Sequence, residues 1–122
     1  MEMPLPEILD RMSILKLKIE RIGESHLKVE MQEYEKALKE FENRGVIIKK
    51  EWLDELDGIH RQIWDLEADI RGGKEGILGL EEVGRRAIAI RDINKKRISI
   101  KNKIVEETGL GFKDIKMAHA SE

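Results

Sequence analysis

Hydrophobic residues recur along this chain at steps of three and four. Leu5, Ile8, Met12, Leu15, Ile19 and Ile22 form one seam, Leu27, Met31, Tyr34, Leu38 and Phe41 a second, and Trp52, Leu56, Ile59, Ile63, Leu66 and Ile70 a third. Such spacing lays an apolar stripe along a helix, whereas a strand alternates with period two and cannot produce it. Pro4 and Pro6 suit the entry to a first helix over about 6–22, where a missing amide hydrogen costs nothing, and Gly23 suits its exit. Ser25 is the expected N-cap of a second helix over about 25–43, which closes before Gly45. So short a connection predicts an antiparallel hairpin, with a kinked continuous helix as the alternative. The third helix covers about 50–71, its first turn carrying Glu51, Asp54 and Glu55 against the helix dipole. Gly72, Gly73, Gly76 and Gly79 predict a loop with at most one irregular turn. A fourth helix over about 80–108 opens with Glu81 and Glu82 and stops at Gly109.

The expected fold is therefore all-α: antiparallel helical hairpins forming a three- or four-helix bundle with coiled-coil-like seams, in one domain spanning 1–122. In the tail, 109–122, Phe112 and Ile115 stand at helical spacing but are too few to hold a helix unaided. At 122 residues the chain is large enough for a single core without metals or disulfides, and it has no cysteine to make either a thiol site or a bridge. Charged residues at 39% and hydrophobic ones at 40% predict a folded chain in water. No run reaches the roughly 18–20 apolar residues of a membrane span, and no signal peptide is visible, so the expected compartment is the cytoplasm.

A net charge of −2 conceals an asymmetry. Residues 51–71 hold seven acids and two bases, while 85–103 hold eight bases, Arg85, Arg86, Arg91, Lys95, Lys96, Arg97, Lys101 and Lys103, against Asp92 alone. Nucleic acid is not the expected partner, because the few aromatics, Trp52, Trp64, Tyr34, Phe41 and Phe112, mostly occupy apolar seams and offer no stacking platform. The fourth helix is more informative. Its broad apolar face, Val83, Ala87, Ile90, Ile93, Ile98, Ile100, Ile104 and Val105, also bears Arg86, Asn94, Arg97 and Lys101. A buried stripe does not carry charge without partners, and the third helix offers Glu67, with His60 and Arg71 further round. The residues Glu67, Arg71, Arg86, Asn94, Arg97 and Lys101 thus predict a polar layer inside the bundle, in which Glu67 pairs with Arg97. Such a layer either fixes the register of the helices or accepts a small anion on the planar fork of arginine.

A second constellation consists of Glu30-x-x-Glu33 and Glu51-x-x-Asp54 on successive helices. Paired acids at that spacing resemble the all-helical nucleoside triphosphate pyrophosphatases, and the resemblance implies magnesium held against a phosphate chain. Glu51 and Asp54 project away from their own helix's seam, which counts against that alternative, and His26, His60 and His119 show no metal-ligand spacing.

Three stretches, Leu9 to Ile22, Ile63 to Arg71 and the Arg86 to Lys103 run, resemble a family of small bacterial and archaeal domains of unknown function, DUF6165. The resemblance implies an all-helical domain, sometimes in cell-surface polysaccharide settings, and singles out Asp10, Lys18, Glu20 and Arg21, then Glu67, Asp69 and Arg71, then Asn94, Arg97 and Lys101. Ala68 and Lys95 stand where the family tends to carry acids, which removes negative charge from any metal site built there.

The combined expectation is a binding or assembly module without a catalytic centre or cofactor, with a metal-dependent phosphohydrolase using magnesium as the alternative. A homodimer is expected as well. A fourth helix of about 40 Å outreaches neighbours of about 25–30 Å, so apolar residues stay uncovered, with Ile98, Ile100, Ile104 and Val105 as the candidates.

Overall fold

A computed structural model describes residues 3–71, 73 and 75–110, the side chains of Asp69, Arg71 and Glu75 excepted. Five helices account for most of them: α1 (Leu5–Arg21), α2 (Ser25–Asn43), α3 (Lys50–Arg71), α4 (Glu75–Leu78) and α5 (Leu80–Thr108). The all-α expectation is met, and among the described residues there is no strand. None of the helices is long and apolar enough to cross a membrane. Phe112 and Ile115 lie outside the described residues.

The glycines act where the sequence places them. Gly23 at φ 76° and Gly109 at φ 71° adopt the left-handed conformation that ends α1 and α5 and that side chains with a Cβ resist. Ser25 is the first helical residue of α2 and not its cap; Glu24 holds the cap position, with no side-chain hydrogen bond. The glycine-rich segment read as a loop contains the single turn α4.

α1 packs against α2, α3 and α5, and α3 packs against α5. The ion pairs set the directions. Glu20 and Arg21 at the end of α1 meet Arg61 and Asp65 well along α3, and Asp10 meets His60, so α1 and α3 run the same way. Glu7 meets Lys101 and Asp10 meets Arg97, so α5 runs against α1. Lys49 meets Glu107 and Arg86 reaches the Leu66 carbonyl, so α5 also opposes α3. α2 folds back on α1 as a hairpin, which excludes the kinked continuous helix.

Two apolar clusters follow from this placement. Leu5 and Leu9 of α1, Trp52, Leu56 and Ile59 of α3, and Ile100 and Ile104 of α5 form the first, bordered by Phe41, Val46 and Leu110. The second seals the hairpin, with Ile8 and Leu15 of α1 against Leu27, Tyr34 and Ala37 of α2. α1 is accordingly buried on two sides, and Leu5, Ile8, Leu9 and Leu17 have no exposed surface.

The end of α5 expected to stay bare is covered, and the exposed apolar residues lie toward the other end. Ile98, Ile100 and Ile104 are buried and Val105 is half-buried, because α1 and the start of α3 cover the C-terminal half of α5. The uncovered residues are Ile77 of α4, 83% exposed, and Leu80 and Ile88 of α5, 90% and 52% exposed.

Truncating the centre of the first cluster tests this packing. Leu56→Ala should lower the free energy of unfolding by about 2–5 kcal/mol, the usual range for a fully buried leucine, in urea titration followed by circular dichroism. A loss below about 1 kcal/mol would place Leu56 outside the core.

Candidate functional site

The polar residues of the bundle gather where α1, α3 and α5 meet. Asp10 enters from α1, one turn beyond Glu7, and is buried because α1 has helices on both sides. His60 comes from α3, next to Ile59 of the apolar cluster, and is buried too. Arg97 and Lys101 come from α5 at a spacing of four, which stacks them on one face.

His60 Nε2 donates to Asp10 Oδ1 at 2.9 Å. The other carboxylate oxygen faces Arg97 Nε at 3.8 Å, a contact of charge and too long for a hydrogen bond. Lys101 Nζ donates to Glu7 Oε1 at 2.5 Å. Ser13 Oγ, Asn94 Oδ1 and Arg97 Nε are buried without a hydrogen-bond partner.

Burial alone would push the Asp10 carboxyl up. The hydrogen bond from His60 and the charges of Arg97, His60 and Lys101 outweigh it, and its pKa lies below the ordinary carboxylate value. Asp10 is thus held as a carboxylate, in which state it only accepts, so the proton of the Asp10–His60 bond resides on His60 Nε2.

Of the residues expected to build the layer, Arg97 and Lys101 are in it, and Asn94 stands one turn away on the same helix with a buried side-chain oxygen. Arg97 finds Asp10 and not Glu67, whose half-buried side chain has other contacts. Arg86 bonds Glu82 on its own helix and reaches the Leu66 carbonyl at 3.4 Å. The Arg71 side chain lies outside the described residues. Glu7 and Asp10 supply negative charge that the seam pattern did not place in the layer. Asp10 was marked only by the family resemblance, and His60 was expected at the margin.

Glu30, Glu33, Glu51 and Asp54 are all exposed, on helices α2 and α3, which do not pack on each other. Among the described residues no three histidine, aspartate or glutamate side chains converge as a cation site. Asp54 instead borders two clefts, one of about 320 Å³ running from α2 over α1 to α3, and one of about 440 Å³ between α3 and α5 with Gly58 on its wall. Neither is lined by Asp10, His60 or Arg97.

Surface charge is largely answered by its neighbours. Arg61 forks to Glu20 at 2.8 Å and to Asp57 at 3.0 Å, bracing α1 to α3. Arg85 pairs with Glu81 and Glu82, while Arg91 and Lys95 lie beside Asp92, so the basic run of α5 is not a bare cationic stripe.

Removing one member of the buried pair should hurt more than removing both. Asp10→Ala is expected to cost about 3–5 kcal/mol in thermal or urea unfolding, and Asp10→Leu with His60→Leu to recover most of it. The depressed pKa fixes the sign with pH. Stability from the Asp10 carboxylate is intact above the unfolded value of about 4 and is lost as pH falls through the lower folded value. Asp10→Asn should therefore flatten the acid limb of the stability curve below about pH 4, and an unchanged limb would show that this carboxylate does not contribute to it.

Comparison with known proteins does not extend these findings: no protein-family model, curated protein or solved structure matches the chain, and the resemblance to the family of unknown function rests on the three sequence stretches alone.

Proposed function

We propose that the chain is a helical binding and assembly module whose docking element is the arm formed by α4 and the N-terminal half of α5, with a homodimer as its simplest assembled state. One observation carries this reading: Ile77 of α4 and Leu80 and Ile88 of α5 are all exposed, around the junction of the two helices and on the face of α5 that α3 leaves uncovered. Scattered exposed apolar residues are ordinary, but three close together on adjoining helices mark a contact surface. The polar layer serves the same end. Its carboxylates pair with cations from two other helices, and a charge-paired layer of this kind holds helices in one register. The arm thereby rests on a fixed base.

Light scattering from about 10 µM to about 1 mM should show the mass rising from one chain to two, with a melting temperature that climbs with concentration. A monomer with a constant melting temperature across that range removes the assembly reading. Incubation with a nucleoside triphosphate and magnesium should release no pyrophosphate, whereas turnover lost on Glu51→Gln would favour the phosphohydrolase instead.

A further inference from the structure

The surface of the arm is self-complementary. Leu80, Gly84, Ala87 and Ile88 share one stripe of α5 at steps of four, three and one, and all four are exposed. Gly84 stands midway between Leu80 and Ile88. A Cβ built on Gly84 would meet nothing within 4 Å, so a second backbone can approach closely there. Beside the stripe, Glu81 and Arg85 form an exposed pair one turn apart.

We propose that a second copy of this chain docks on the arm through an antiparallel two-fold whose axis passes at Gly84, so that Leu80 of each chain packs on Ile88 of the partner subunit. This proposal rests on the assembly reading above and specifies its geometry. The four-residue steps on either side of Gly84 are equal, so a two-fold about that point sets Leu80 of each arm opposite Ile88 of the other. Charge selects the direction. Antiparallel pairing brings Glu81 beside Arg85 of the partner subunit and the reverse, closing a four-membered ring of alternating sign, while parallel pairing turns this flank toward the opposite flank of the partner and forms no such ring. Antiparallel helix dipoles favour the same choice. The self-complementary charge of the Glu81–Arg85 flank argues for a second copy over an unrelated partner. The arm is short, so the interface belongs below about 1,200 Å², among transient contacts with micromolar dissociation constants.

The chain has no cysteine, so single introduced thiols report the geometry directly. Under mild oxidation at about 1 mM protein, Gly84→Cys should link to itself in high yield. Leu80→Cys should link poorly to itself, and a mixture of Leu80→Cys with Ile88→Cys should give the mixed dimer. Independently, Arg85→Glu should weaken dimerisation at least about tenfold in sedimentation, with Glu81→Arg in the same chain restoring it, and circular dichroism confirming that both variants fold. A dimer that persists while Leu80→Cys self-links and Gly84→Cys does not, or that is indifferent to Arg85→Glu, overturns this geometry and leaves the assembly reading standing. A wild-type chain that stays monomeric throughout overturns both.

Discussion

A carboxylate withdrawn from water in the most enclosed helix of the bundle sets the terms for the rest of the structure. Asp10 lies on α1, which has α2 on one side and α3 and α5 on the other. Moving such a charge out of water costs several kcal/mol even after relaxation, and only well-placed donors and cations offset it. Here the donor is His60 from α3 and the cation is Arg97 from α5. Sliding either helix by one residue would separate its group from Asp10 and leave a buried ion uncompensated. Apolar contacts tolerate such slips far better, since one branched side chain replaces another at similar cost. The core therefore supplies cohesion, and the layer supplies alignment.

That division explains what was legible in the sequence. Helix positions were, because seams at three and four and terminal glycines are local signals, and the limits of α2, α3 and α5 coincide with those read from periodicity. Non-local pairing was not. Seam reading assigns each helix one buried face, and α1 has two: Ile8, Met12 and Leu15 turn toward α2, while Leu5 and Leu9 turn toward α3 and α5. Asp10 follows Leu9 and falls on what looks like the wet side when a single stripe is drawn. Arg97 and Lys101 were visible because α5 has a wide apolar face in which charges stand out. Their partners were sought on α3, the neighbour with matching acids, when half of the answer lay on the earliest helix in the chain.

The same non-locality misdirected the reading of α5. Its excess length follows from residue count alone, but which end is left bare depends on where α1 and α3 sit beside it. Together they bury Ile98, Ile100 and Ile104 in the C-terminal half, while along the N-terminal half α3 covers one face, where Arg86 reaches the Leu66 carbonyl, and leaves Leu80 and Ile88 exposed. The two halves of one continuous helix thereby acquire different chemistry: the C-terminal half is a core element with two buried or half-buried cations, and the N-terminal half lays one face on α3 and turns an apolar stripe to solvent.

The attachment of α2 to a single neighbour makes the bundle unequal in its fluctuations. α1, α3 and α5 each touch the other two, so none can leave without disrupting two contacts and the Asp10 layer together. α2 packs on α1 through the Leu27–Tyr34–Ala37 face and a three-residue turn at Gly23, and only Leu38 and Phe41 near its end border the first cluster. Detaching it exposes Ile8 and Leu15 but leaves the other three helices paired. Amide protons of α2 are thus placed to exchange through a sub-global opening, while those of α3 and the buried half of α5 await complete unfolding. The hairpin is in effect a cover on a three-helix kernel, and the kernel, with its ion-paired centre, is the cooperative unit of the molecule.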